Sequence, residues 1–313
     1  MNDSFIWAYL IHLSYNMWGD WKNPEVKSPY YAYQPFLRCD DALWHELMTR
    51  MRDAGVNMVV IDVGDGVQFK SHPEIPVKGA WSREKLRDEL AKIRELGMEP
   101  IPKLNFSTCH DQWLGVYARM ISTPQYYQVV KDLIAETIEL FDTPRLFHLG
   151  MDEEALVHQR HFEYVVIRQF DLWWRDFQFL LDQLKPKNVR PWIWSDNIWV
   201  RPDEFLTRMP HEVLQSNWYY GKDLDPAKTE VKAYVQLEEK GFEQVPTFSN
   251  WETPENVYNT VRFAKEHISP QRLKGFIHAP WRPTLPEVRE RHLDAIDNVA
   301  NARKLFEEHS LPR

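Results

Sequence analysis

At 313 residues and 43% hydrophobic, the chain is long enough to bury a large core, in one barrel or in two smaller domains. Its 38 basic and 46 acidic residues give a net charge of −8, which argues against a partner that is held by nucleic-acid phosphates. Two cysteines, Cys39 and Cys109, are too few for a disulfide framework, and no apolar run approaches the roughly 20 residues that span a bilayer.

The chain starts MNDSFIWAYLIHL, with an acid and no Lys or Arg ahead of the apolar run and no small-residue cleavage site, so a cytoplasmic protein is expected. That run is the first strand candidate, residues 5–13. A helix follows at 40–55, with Leu43, Leu47 and Met51 on one face and Gly55 at its end. The second strand is NMVVIDV, 57–63. Ser82 then caps a helix whose Leu86, Leu90, Ile93 and Leu96 recur at helical spacing up to Gly97. Strand three is MEPIPKLNF, 98–106, and Pro124 opens a helix to 141 that carries Val129, Leu133, Ile134, Ile138 and Phe141. The remaining strands are expected at 145–150, 190–196, 212–218, 245–251 and 274–280. Helices are expected near 160–184, 201–209, 226–241, 254–267 and 285–309.

Eight strand-then-helix units with no Ser/Gly-rich linker between them predict an α/β protein, a single (β/α)8 TIM barrel over residues 1–313. An open doubly wound sheet is the runner-up, but no Gly-rich phosphate turn follows the first strand.

In such a barrel the active site lies at the carboxyl ends of the strands, so polar residues there are the candidates. Strand four runs into RLFHLGMDEEAL, which places Asp152 and Glu153 at the rim. Strand alternation aims neighbouring side chains in opposite directions, so both acids reach one ligand only if the strand has already broken. Glu154 suits the acidic first turn of a helix instead. Other strand ends contribute Asp62, Asp65, Asn105, His110, Asp196 and Glu252.

Trp194, Trp199, Trp218, Trp251 and Trp281 fall at or just after strands five to eight, with Tyr219 and Tyr220 beside them. Carboxylates interleaved with flat aromatic faces suit a sugar, whose hydroxyls need acceptors and whose C–H faces pack on rings. Paired acids at such a rim suit glycosidic cleavage, in which one group protonates the leaving oxygen and another stabilises the cationic sugar carbon. Metal chemistry is the competing use, since His110, His148, Asp62, Asp65 and Glu153 are ligand types. No HExxH motif is present, and His158 and His161 of HQRH are expected on a solvated helix face, so neither metal nor cofactor is assigned.

The order IDVGDGVQF, SHPEIPVKGAWSREKLRDELAKIRELGMEPIPKLNFSTCH and LFHLGMDEE resembles the catalytic barrel of family 20 glycoside hydrolases, the β-N-acetylhexosaminidase type, over about residues 57 to 155. The resemblance implies a retaining exo-glycosidase that acts on a terminal β-linked N-acetylhexosamine. Asp152 would orient the substrate acetamido group and Glu153 would be the general acid/base, with His148 and Gly150 completing the motif. Asp65 would match the strand-two aspartate and His110 the histidine after strand three. Trp194, Trp218, Trp251 and Trp281 would line the sugar pocket, with Tyr219 or Tyr220 at the acetamide oxygen. A carbohydrate is the expected partner, with no nucleic acid and no membrane.

Departures from that pattern are plain. Met151 stands where the family has a second glycine, and its Pro-Glu-x-Asp reads Pro102, Lys103, Leu104, Asn105. The histidine loop lacks its Pro-Gly. No arginine ends strand one, where His12 or Asn16 would have to serve, and the accessory domain that often precedes the barrel is not seen. These changes also fit a barrel that binds a glycan without cutting it.

Overall fold

The computed structural model describes residues 5–19 and 30–308. Eight parallel strands form the sheet: β1 (Ile6–His12), β2 (Met58–Asp62), β3 (Glu99–Lys103), β4 (Leu146–His148), β5 (Arg190–Trp194), β6 (Leu214–Ser216), β7 (Thr247–Phe248) and β8 (Gly275–His278). Their order is β6-β5-β4-β3-β2-β1-β8-β7, and bridges from Gln215 to Gln244 and from Trp218 to Thr247 close the circle between β6 and β7. The expected (β/α)8 barrel is therefore present.

A principal helix follows each strand: α1 (Asp41–Asp53), α2 (Arg83–Glu95), α3 (Pro124–Leu140), α4 (Asp171–Leu184), α5 (Pro202–Arg208), α6 (Thr229–Glu239), α7 (Glu255–His267) and α8 (Arg289–Glu308). Local chemistry sets their starts. Asp40, Ser82 and Thr123 each accept the backbone N–H three residues on, which satisfies an otherwise orphaned donor of the first turn. The helices bury their apolar faces against outward-facing strand residues such as Tyr9, Ile11, Val59 and Ile61.

Inward-facing residues form a second apolar cluster, which includes Ala8, Leu10, Met58, Val60, Ile101, Leu146, Trp192 and Leu214. Side chains alternate along a strand, so His12, Asp62, Lys103 and His148 also point inward, one layer nearer the carboxyl ends. The register pairs His12 with Asp62, Asp62 with Lys103 and Lys103 with His148. All four are buried, and Lys103 Nζ donates to Asp62 Oδ2 while His12 Nε2 lies 3.7 Å from the same oxygen. Burial, reinforced by the Lys103 charge, holds both His12 and His148 well below the usual histidine range. The layer at the carboxyl ends of these strands is thus an ion pair flanked by neutral imidazoles.

The structure differs from the expected elements mainly at 160–170. A one-turn helix, Leu156–Gln159, ends before this segment, and α4 begins only at Asp171. Gln159 ties down the backbone of Val166, accepting its N–H at 3.0 Å and donating to its carbonyl at 2.9 Å, while Arg168 turns inward. These bonds, with β-branched Val165, Val166 and Ile167 in sequence, favour an irregular loop over a helix. The 3-10 segment Gln112–Tyr117 and the short helix Asn197–Val200 were not foreseen either.

Removing Lys103 would strand Asp62 without its counter-ion. Lys103→Met is expected to lower stability by about 3–5 kcal/mol, and Lys103→Met combined with Asp62→Leu to recover a large part of that loss, as read from urea unfolding. Additive losses in the double variant would contradict the pairing.

Candidate active site

The site is created by the way β4 ends. Leu149 and Gly150 still ladder with β5, through Leu149 N–H to Trp192 O (2.8 Å) and Trp194 N–H to Gly150 O (3.0 Å). The backbone then turns left-handed at Gly150, Met151 and Glu153, with φ of 72°, 78° and 60°. For non-glycine residues this costs about 1–3 kcal/mol each, so surrounding contacts must enforce it. A Cβ on Gly150 would fall 2.8 Å from the Asn105 Cα and closer still to its side-chain oxygen, so only glycine fits. Strand alternation has ended here, and both Asp152 and Glu153 line one cavity.

Asp152 is 4% exposed. Its Oδ1 accepts from Asn105 Nδ2 at 2.8 Å and lies 3.1 Å from His110 Nδ1, while its carbonyl accepts from Ser107 Oγ. Burial alone would raise this carboxyl, but His110, Lys103 and the Asn105 hydrogen bond outweigh it and hold Asp152 well below the usual carboxylate range. His110 shows the reciprocal effect. Its burial favours the neutral ring, yet the Asp152 charge prevails and raises it well above the ordinary histidine value. The two form an ion pair at the cavity floor.

Glu153 is oriented differently. Its N–H donates to Asp196 Oδ2 at 2.7 Å, and its Oε2 sits 3.2 Å from His110 Nε2. At 28% side-chain exposure it is the more open of the two acids. Asp196 also accepts from Trp218 Nε1 at 3.3 Å, and burial followed by repulsion from Asp152 pushes its carboxyl well up. Glu154 does not begin a helix as expected. It turns out of the cavity to pair with buried Arg168, which also reaches Asp176 and the Phe106 carbonyl.

The cavity has a volume of about 340 Å³. Trp218, Tyr220, Trp251 and Trp281 line it as expected, with Glu252, Tyr15, Met17, Trp18 and Tyr31 completing the wall. Tyr220 and Trp281 are locked together by a 2.8 Å hydrogen bond from the indole N–H, and Trp218 stacks on Tyr220 at 5.1 Å. Other predicted site residues stand behind the wall. His148 and Trp194 are buried below it at 4.3 Å between ring centres, and Trp194 in turn underlies Trp281 at 5.8 Å. Asp65 is buried against Ser14 and Asn16, with burial raising its carboxyl to about 6 against the hydrogen bonds that these residues supply. Tyr219 points away, its hydroxyl accepting from Lys228 Nζ at 2.7 Å.

His158 and His161, expected on a solvated helix face, instead line the cavity mouth with Val157 and Arg160. Tyr15 and Tyr31 were missed because the motif sought after strand one was an arginine. The guanidinium near that strand belongs to Arg38, which donates to the Tyr15 carbonyl and to Asn16 Oδ1.

No family model and no curated protein matches the chain. Solved structures do match the fold. The family 20 exo-β-N-acetylglucosaminidase from Vibrio harveyi, in complex with N-acetylglucosamine, aligns at TM-score 0.61 and 12% identity over 97% of this chain and 57% of its own. The chitobiase of Flavobacterium johnsoniae aligns at 0.60 and 16% over 95% and 50%, and Dispersin B at 0.55 and 14% over 94% and 98%. This chain spans a little over half the length of the first of these. The barrel is therefore built like those of family 20 enzymes, the family that the motifs at 57–155 resemble.

Because folding tightens the His110 proton and loosens that of Asp152, the pair's contribution to stability is complete between about pH 4 and 6.5, fades above that window as pH rises through the folded His110 value, and fades below it as pH falls through the folded Asp152 value. His110 is expected to remain doubly protonated past pH 6.5 in a histidine NMR titration, and Asp152→Asn to drop its titration below that point. An unchanged His110 titration in that variant would contradict the assignment of its cause.

Proposed function

We propose that this chain is a retaining glycoside hydrolase of family 20 type, which removes a terminal β-linked N-acetylhexosamine by substrate-assisted catalysis. The observation that carries this reading is the division of labour between two adjacent acids on one cavity floor. Asp152 is buried and held ionised, so it cannot supply a proton to a leaving group. Glu153 is the acid open to the cavity, which assigns it the proton transfer.

In this mechanism the substrate supplies the nucleophile. Its acetamido oxygen attacks the anomeric carbon while Glu153 protonates the departing glycosidic oxygen. The acetamido nitrogen gains positive charge in the resulting oxazolinium ion, and the Asp152 carboxylate accepts its N–H and balances that charge. Glu153 then takes a proton from the water that opens the ring, so the configuration is retained. His110, cationic between the two carboxylates, keeps Asp152 an anion throughout.

The walls support a sugar of one residue. A volume near 340 Å³ lies at the small end of ligand sites, and the rings of Trp218, Trp251 and Trp281 offer flat faces to C–H groups. Family likeness in the barrel and in the motif order supports the same reading, although Lys103 and Asn105 replace two of the family's acids.

Release of nitrophenol from aryl N-acetylglucosaminide, N-acetylgalactosaminide, glucoside and galactoside tests the proposal. Turnover confined to the acetamido sugars is expected, with Glu153→Gln slower by about 10²–10⁴-fold but still folded. Turnover of the plain glycosides at equal rates, or an unimpaired Glu153→Gln, would overturn it. Silence on every sugar combined with tight glycan binding would favour a barrel that binds without cutting.

A further inference from the structure

Buried behind Glu153 is a group for which glycoside hydrolysis has no use, the thiol of Cys109. Its Sγ lies 3.9 Å from Glu153 Oε2, and His110 Nε2 lies 3.2 Å from that oxygen. All three donor atoms fall within 4.8 Å of one another. We propose that Cys109, His110 and Glu153 form a binding site for a thiophilic divalent cation of the zinc type, and that its occupancy blocks the acid.

The donor set fits such an ion in kind and in spacing. Thiolate, imidazole and carboxylate are the three protein ligands that zinc takes, at about 2.3, 2.0 and 2.0–2.2 Å. Tetrahedral angles at those lengths put the donors roughly 3.3–3.6 Å apart. The His110–Glu153 separation is already there, and the thiol and the Glu153 oxygen must close by a few tenths of an ångström, a range that the partly exposed Glu153 side chain can supply.

The surroundings also suit an ion. His110 is 2% exposed, and its Nε2 makes no contact of hydrogen-bond geometry although Glu153 Oε2 lies 3.2 Å away, so this buried nitrogen is directed into the cluster. Its other nitrogen, Nδ1, rests on the Asp152 carboxylate at 3.1 Å, the outer contact that keeps the proton on Nδ1 when Nε2 gives up its own to ligate. The Cys109 N–H is pinned to Ser107 Oγ at 3.0 Å, which keeps the loop after β3 in place. His110 and Glu153 line the open cavity, so an ion enters by the path a sugar would use, and water or a sugar hydroxyl takes the fourth position.

Binding forms metal–sulfur and metal–nitrogen bonds and releases two protons to solvent, one from the Cys109 thiol and one from the His110 imidazolium at Nε2, without oxidation or reduction. The Glu153 oxygen that would carry the proton to the leaving group becomes a ligand. The blocking effect rests on the glycosidase reading; the site itself does not.

The test uses the full chain, stripped with chelator and titrated with CoCl2, then with ZnCl2. A thiolate-to-cobalt charge-transfer band in the near ultraviolet, saturating at one ion per chain and erased by zinc, is expected. Cys109→Ser and Cys109→Ala should remove it and weaken zinc binding in calorimetry by more than about tenfold, with circular dichroism unchanged. His158→Ala and His161→Ala, at the cavity mouth, should keep it. Absence of the band in the parent, or equal zinc affinity in Cys109→Ala, would overturn the proposal. If a sugar is turned over, zinc should inhibit the parent and Cys109→Ala should need more than about tenfold more zinc for the same effect. A band without turnover on any sugar sustains the metal site and removes the glycosidase, whereas turnover without a band does the reverse.

Discussion

The arrangement of the site depends on one carboxamide, that of Asn105. Its oxygen accepts the N–H groups of Ser107 at 3.0 Å and Met151 at 3.3 Å, and its nitrogen donates to Asp152 at 2.8 Å. One side chain therefore fixes the loop after β3, the left-handed turn after β4 and the carboxylate between them. Glycine at 150 is required by the same residue, which occupies the space a Cβ would need. An acid in place of Asn105 would lose the donor and add a negative charge beside Asp152, so the amide supports His110 and Lys103 in keeping buried Asp152 ionised.

Two further braces hold this turn. Below it, the inward layer of His12, Asp62, Lys103 and His148 gives the barrel a charged but internally balanced lid over its apolar interior, and the Lys103 field helps to keep Asp152 ionised. On the far side, Glu154 and Asp176 share the Arg168 guanidinium, which also caps the Phe106 carbonyl. Three consecutive acids thus have three different fates: Asp152 is locked inside, Glu153 faces the cavity and Glu154 anchors the loop outside. Buried charges persist in this way only when each has a partner and its hydrogen bonds are satisfied.

Much of the scaffold was legible because periodicity is local. All eight strands fall inside the expected apolar runs, and helices such as Arg83–Glu95 begin at the cap residue that their sequence supplies. Strand lengths were less legible, since an apolar run does not reveal where pairing stops: β7 has two paired residues within a seven-residue run. The segment 160–170 looked helical by composition, but Gln159 and Arg168 recruit it through contacts that no spacing rule contains. Within the site, the Asp152–Glu153 pair and His110 could be named from motif order. Which ring faces the cavity could not, because beyond a strand end alternation no longer holds, and so Tyr220 points in while Tyr219 points to Lys228. Tyr15 and Tyr31 reach the wall from the loops after β1, a long-range placement that only the closed barrel creates.

The central claim is that the substrate's own amide attacks the anomeric carbon, with Asp152 fixed as its partner and Glu153 as the acid. The most direct measurement compares kcat for aryl N-acetylglucosaminides in which the acetyl methyl carries none, one, two or three fluorines. Fluorine withdraws electrons from the amide oxygen without changing the leaving group, so the account predicts that kcat falls steeply and progressively along the series. A flat series would mean that the amide is not the nucleophile, and would contradict the account.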